Sequence, residues 1–158
     1  MAKQRGFTLP ELIAVMLVLG ILAAVALPRM MDNRALLGTV FNADVVSALR
    51  YAQKSAVSHR RLVCATLTAT TVTLSIAAAN PAIACGTALA SPDGAPYQSK
   101  DGAIQASASP APAGGILFFQ PSGTITTDGA GTTVYAGTIT VTGQATGIRI
   151  QGATGYVE

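Results

Sequence analysis

The sequence predicts an α+β fold in which one long N-terminal helix packs on an antiparallel β-sheet. Residues 12–28 contain no polar side chain at all. From Asp32 to about Ala56, apolar residues recur at three- and four-residue steps, the period of an amphipathic helix. From Arg61 onward the period becomes two, in Thr- and Val-rich runs separated by glycines, which is the pattern of strands and turns.

The first element opens with Lys3 and Arg5, followed by Gly6-Phe7-Thr8-Leu9-Pro10-Glu11. Glu11 sits at the edge of the apolar run, where an isolated carboxylate is expensive to desolvate, so its position requires a partner. Phe7 to Leu27 is 21 residues with Glu11 as the only charge, enough for a single bilayer crossing. Lys3 and Arg5 hold the preceding residues in the cytoplasm. Pro10 is tolerable, because the first four N–H groups of a helix starting at Phe7 have no intrahelical acceptor. Pro28 lies inside a continuing pattern and predicts a helix kink.

In the amphipathic half, Leu37, Val40, Phe41, Val45, Leu49, Ala52 and Ala56 form the apolar face. Arg34, Asn42, Arg50, Gln53 and Lys54 occupy the others. A helix from Phe7 to about Val57, broken only at Pro28, would be roughly 75 Å long. Its first half is apolar all round, so it needs lipid first and other copies of itself afterwards.

Leu62–Leu67 and Val72–Ala77 flank Ala69-Thr70-Thr71 and read as a hairpin. Residues 80–112 are rich in Pro, Gly, Ser and Ala without clear periodicity. They predict a long exposed loop, with a turn at Ser91-Pro92-Asp93-Gly94. Ile116-Leu117-Phe118-Phe119 is a strand ended by Pro121-Ser122-Gly123. Ile125, Thr133–Tyr135, Thr138–Val141 and Ile148–Ile150 predict further short strands, with turns at Gly129, Gly137, Gly143 and Gly147.

A length of 158 residues suits one domain beyond the hydrophobic segment. Half the residues are apolar but only 5% are aromatic, which makes a thin core and a modestly stable domain. His59 is the only histidine, so no nucleophile constellation forms and a surface histidine at a helix end is its plain reading. The acids are scattered without metal-ligand spacing, and no glycine-rich phosphate loop precedes a helix. The sequence therefore predicts no enzyme, no cofactor and no metal.

The basic leader, Gly6-Phe7, and Glu11 ahead of an apolar run resemble the type IV prepilin signature. That resemblance implies cleavage after Gly6 and methylation of the new N-terminal Phe7. Residues 1–6 would be a leader, 7–31 a transmembrane and assembly helix, and 32–158 a periplasmic pilin domain. Loss of Lys3 and Arg5 takes ten basic residues to eight against seven acidic ones, so a formal +3 falls to +1. A nucleic-acid partner draws little support from that charge. Pro10 departs from the aliphatic residue usual in the family, whereas a proline near position 28 matches it. Phe118-Phe119-Gln120-Pro121-Ser122-Gly123, Ile148-Arg149-Ile150 and Thr154-Gly155-Tyr156-Val157 resemble minor pilins, in particular those of mannose-sensitive haemagglutinin pili and the pseudopilin H and fimbrial protein T families.

The implied function is a structural subunit, of the minor class, of a type IV pilus or a type II secretion pseudopilus. Glu11 would pair with the N-terminal amine of a neighbouring subunit. Implied partners are other pilin or pseudopilin subunits, a prepilin peptidase and methylase, an inner-membrane assembly platform, and the membrane before assembly. If the domain lies outside the cytoplasm, a Cys64–Cys85 disulfide becomes available and would contribute about 3 kcal/mol by loop closure; two buried thiols are the alternative. Fimbrial protein T relatives include DNA-binding members, and the competing role is a pilus-tip binding module contacting DNA or a surface in uptake or adhesion. Arg60, Arg61 and Arg149 are the candidate contacts for it, although a solvated face accounts for the cluster of Arg50, Lys54, Arg60 and Arg61. An ordinary secretory signal cut near Ala26 is a third reading.

Overall fold

The computed structural model describes residues 9–31, 34–102 and 104–158. The chain falls into two units, residues 1–33 and 34–158. In the first, helix α1 runs from Leu9 to Met31. Leucine, alanine and methionine favour it, and Pro10 sits in the first turn, where it breaks no backbone hydrogen bond. Every side chain of residues 9–25 is exposed. That stretch measures about 25 Å, and among the described residues no helix is long and apolar enough to cross a membrane. Helical backbone continues through Pro28 to Met31, and the next helix is described from Arg34.

The second unit is built on helix α2, Arg34–His59. Phe41, Val45, Ala48, Leu49, Ala52 and Ala56 form its buried stripe. Leu37 and Val40, expected on this face, are 39% and 54% exposed. Gly38 takes the inward position instead, so close to the next layer that an added Cβ would lie 2.6 Å from the Thr142 carbonyl oxygen. The helix ends in a Schellman turn: Arg61 N–H donates to Ala56 O and Arg60 N–H to Val57 O. Arg60 occupies the left-handed position of that turn, with φ 51°.

Two antiparallel sheets follow, where the sequence predicted one. Strands β1 (Val63–Leu67) and β2 (Thr71–Ile76) form the expected hairpin, with Val63 opposite Ile76 and Leu67 opposite Val72. Thr68 closes it by donating its N–H to Thr71 O and accepting the Thr71 N–H at its hydroxyl. The first sheet has the order β3-β2-β1-β6-β7, and β4 also pairs with β2. Here β3 is Thr87–Ala88, β4 is Gln98–Lys100, β6 is Ile116–Phe119 and β7 is Ile125–Thr126. The second sheet has the order β10-β9-β8-β5. Its strands are β5 (Ala106–Ser109), β8 (Ala136–Val141), β9 (Ile148–Gln151) and β10 (Tyr156–Val157).

The 80–112 loop is therefore interrupted by three short strands. Backbone pairing creates them: β5 reads Ala-Ser-Ala-Ser and β4 Gln-Ser-Lys, neither of which carries an apolar signature. Conversely, Thr133–Tyr135 is not a strand; Val134 makes a single bridge to Thr126.

The α2 stripe packs against Val63, Ala65, Leu74, Leu117 and Phe119 of the first sheet and Ile139, Val141, Ile148 and Ile150 of the second in one core. A closed ring of backbone hydrogen bonds joins the sheets. Ile125 N–H donates to Gly152 O (2.8 Å), Gly152 N–H to Tyr135 O (2.7 Å) and Tyr135 N–H to Ile125 O (2.9 Å). Only glycine fits at the centre, because a Cβ on Gly152 would collide with the carbonyl oxygens of Tyr135 and Ile125. The buried Tyr135 ring completes the junction by donating its hydroxyl to Pro110 O at 2.9 Å.

Candidate assembly surface

Gly6 and Phe7 lie outside the described residues. Glu11 stands exposed in the first turn of α1, where the helix dipole favours a carboxylate. Ala14, Val15, Val18 and Leu19 follow at three-, four-, seven- and eight-residue steps. With Glu11 they line an open groove of about 300 Å³. Over residues 9–25 the resulting geometry is one charge on an otherwise apolar helix. Leu12, Ile13, Met16, Leu17, Leu22 and Val25 continue the apolar surface round the other faces, each more than half exposed. Such a surface is unfavourable in water and favourable against lipid or other apolar helices.

On the globular unit, α2 is tied to both sheets by side chains the sequence left unassigned. Arg50 donates two N–H groups, from Nε and Nη2, to Val157 O at 3.1 and 2.9 Å. This arginine was expected on a solvated basic face. It is instead a fastening of the helix to the last strand, since a guanidinium fork can place two parallel donors on one oxygen. Tyr51 donates its hydroxyl to Ala90 O at 2.7 Å, and its ring stacks on Tyr97 with centroids 5.3 Å apart. Ser99 Oγ donates to Asp44 Oδ2 at 3.1 Å. No periodicity could reveal these contacts, because their partners are backbone carbonyls or side chains far along the chain. Gly38, inside an otherwise amphipathic helix, was the one available signal of close packing.

Arg60 and Arg61 are exposed at the end of α2, and Arg149 is exposed on β9 in the second sheet. The candidate basic residues thus stand on separate elements. Cys64 and Cys85 form a disulfide with Cα atoms 6.1 Å apart, which decides the pairing the sequence left open.

At the other end of the first sheet, Asp128 organises the turn that follows β7. Its carboxylate accepts the N–H groups of Thr132 (2.9 Å) and Thr133 (2.7 Å). Those two donors, Thr132 first, hold the Asp128 carboxyl below the usual carboxylate range. Gln120 and the buried Thr126 complete the turn: Gln120 Nε2 donates to Thr126 Oγ1 at 3.0 Å, and Thr126 Oγ1 to Asp128 O at 2.7 Å. Within Phe118-Phe119-Gln120-Pro121-Ser122-Gly123, glutamine is therefore the residue that supports the neighbouring loop.

Residues 1–27 match the family model of the prokaryotic N-terminal methylation motif. Two fimbrial proteins of Pseudomonas aeruginosa are each 44% identical to the chain over 57 residues, 36% of this chain and 37% of theirs. The chain thus spans little more than a third of these relatives' length. Its fold is similar to the crystal structure of the type IV minor pilin FimU of P. aeruginosa strain PAO1. The TM-score is 0.51 at 18% identity, covering 76% of this chain and 90% of that one. A methylation motif at the start, a first third similar to fimbrial proteins, and a fold of N-terminal helices followed by antiparallel sheets like that of a minor pilin make this chain similar to the type IV pilins.

Proposed function

We propose that the protein is a minor structural subunit of a type IV pilus, polymerising through α1. The exposed apolar surface of residues 9–25, with Glu11 as its one carboxylate, is the observation that carries this reading. The fimbrial names of its relatives favour a pilus over a type II secretion pseudopilus. Before assembly the segment 7–31 anchors the protein in the inner membrane, with residues 32–158 in the periplasm. A prepilin peptidase removes residues 1–6 and a methylase modifies Phe7.

In the filament, Glu11 meets the N-terminal amine of a neighbouring Phe7, and methylation leaves that amine charged. Water is excluded from the bundle, so the attraction between the two charges sets the axial register at which each subunit joins. Pro28 loosens the helix where packing between subunits demands it. An assembly platform in the inner membrane delivers the subunits.

Mass spectrometry of the protein from its native membrane tests the processing, with an N-terminal methyl-Phe7 as the expected result. A start after Ala26 would remove the filament reading. Glu11→Ala tests the register: filament incorporation should fall while the melting temperature of the globular unit stays unchanged. Incorporation at the native level would refute the role given to Glu11.

A further inference from the structure

The first sheet has apolar side chains on both faces. Val63 and Ala65 point into the main core, whereas Cys64 between them joins a second, smaller cluster with Leu62 and Ala77. Ile116 and Phe118 pack on this cluster from the neighbouring strand, and Ala82 and Cys85 pack on it from the segment 78–86. That segment forms no strand. Its backbone anchors are few: Ala77 N–H to Leu62 O at its start and a long Gly86 N–H to Ile76 O bond (3.4 Å) at its end. Between them it rests on Gly129, against which the Ile83 carbonyl packs so closely that a Cβ would collide. The Ile83 side chain is 73% exposed and contributes little to holding the segment down.

We infer that residues 78–86 are a strap closed over the second cluster by Cys64–Cys85, and that reducing this disulfide opens the strap while the two-sheet core stays folded. Cys85 is only partly buried, so a thiolate can approach it from solvent. The reductant is a dithiol: it gives two electrons and two protons, Cys64 and Cys85 become thiols, and the dithiol closes to its own disulfide. Opening removes Ala82 and Cys85 from the cluster and leaves Leu62, Ile116 and Phe118 facing water. The seat remains, because Asp128, Thr126 and Gln120 hold the Gly129 turn without any strap residue. The outer face of the first sheet is thus completed only by oxidation. This inference stands on the disulfide and its packing and does not depend on the filament reading.

Amide hydrogen exchange of the full chain in detergent micelles, oxidised and then reduced with dithiothreitol, tests it. Exchange at the Gly86 amide, the N–H of this segment that donates to Ile76 O, should rise on the order of a hundredfold, the scale set by the closure entropy of such a loop. Peptides of β1 and β6 should keep their protection. Gly129→Ala, with the disulfide intact, should speed exchange in the same segment by pushing Ile83 off its seat. Unchanged exchange on reduction would overturn the inference, because packing alone would then hold the strap. So would a rise across both sheets, which would make the disulfide a bond of the whole fold.

Discussion

Replacing Gly152 with alanine tests the junction between the two sheets. The added Cβ would be driven against the carbonyl oxygens of Tyr135 and Ile125. Both are backbone atoms of buried residues, so no side chain can rotate away, and the β9–β10 turn must shift instead. The shift strains a ring of three backbone hydrogen bonds of 2.8, 2.7 and 2.9 Å. Each contributes about 0.5–1.5 kcal/mol net, and each buried group left without its partner costs about 1–3 kcal/mol. Losing most of the ring therefore costs about 3 kcal/mol, a large share of the roughly 5–15 kcal/mol of a typical domain. In a domain of this size that lowers the melting temperature by roughly 10 °C. Near-UV circular dichroism of the full chain in micelles reports it through the tyrosines, and Gly86→Ala, whose Cβ would meet nothing within 4 Å, is the control. A Gly152→Ala protein that melts with the control would refute the assignment of the ring as the joint.

Arg50→Ala removes both donors from Val157 O and should cost about 1–3 kcal/mol; Arg50→Lys should recover less than half, since an ammonium lacks the fork. Chemical denaturation of the three proteins checks this. Asp128 has a folded-state pKa below its unfolded one, so its contribution is fully present above the ordinary carboxylate range and is lost as pH falls through the lowered value. In Asp128→Asn, the melting temperature should be lower at neutral pH and should approach that of the native protein in acid; a gap that persists at low pH would contradict the carboxylate's role. Arg60→Gly relieves a left-handed arginine and should raise stability by about 0.5–1 kcal/mol, the gain being limited by the greater freedom of glycine in the unfolded chain. An unchanged denaturation midpoint would show that the turn tolerates arginine at no cost.

What could be read from the sequence followed from where the physics is local. The apolar run, the α2 stripe from Phe41 to Ala56 and the hairpin at Thr68–Thr71 each express a period or a turn chemistry in consecutive residues. Strands β4 and β5 were hidden because serine, alanine and glutamine record no face; their place is set by partners, as Ser107 shows in pairing with Thr140. The split into two sheets was hidden for a related reason. It depends on the contact of Ile125, Tyr135 and Gly152, which are far apart along the chain. In the candidate site, Glu11 stood out because a charge beside apolar residues is conspicuous. Arg50 did not, since its partner is a carbonyl 107 residues away and the same side chain fits a solvated face equally well.

The bond between Arg50 and Val157 also closes part of an edge of the second sheet. β10 is an outer strand of the second sheet, and Val157 turns its carbonyl away from β9. Left bare, such an edge is a template on which a foreign strand can grow. The guanidinium occupies that acceptor from within the same chain. On the opposite edge, the Ala106 N–H of β5 is taken by Ala69 O. In the proposed filament, neighbouring subunits would find both margins of this sheet already partly engaged. Contacts between copies would then be left to side chains and to the apolar helix, and growth of the proposed filament would be guarded against edge-to-edge sheet fusion.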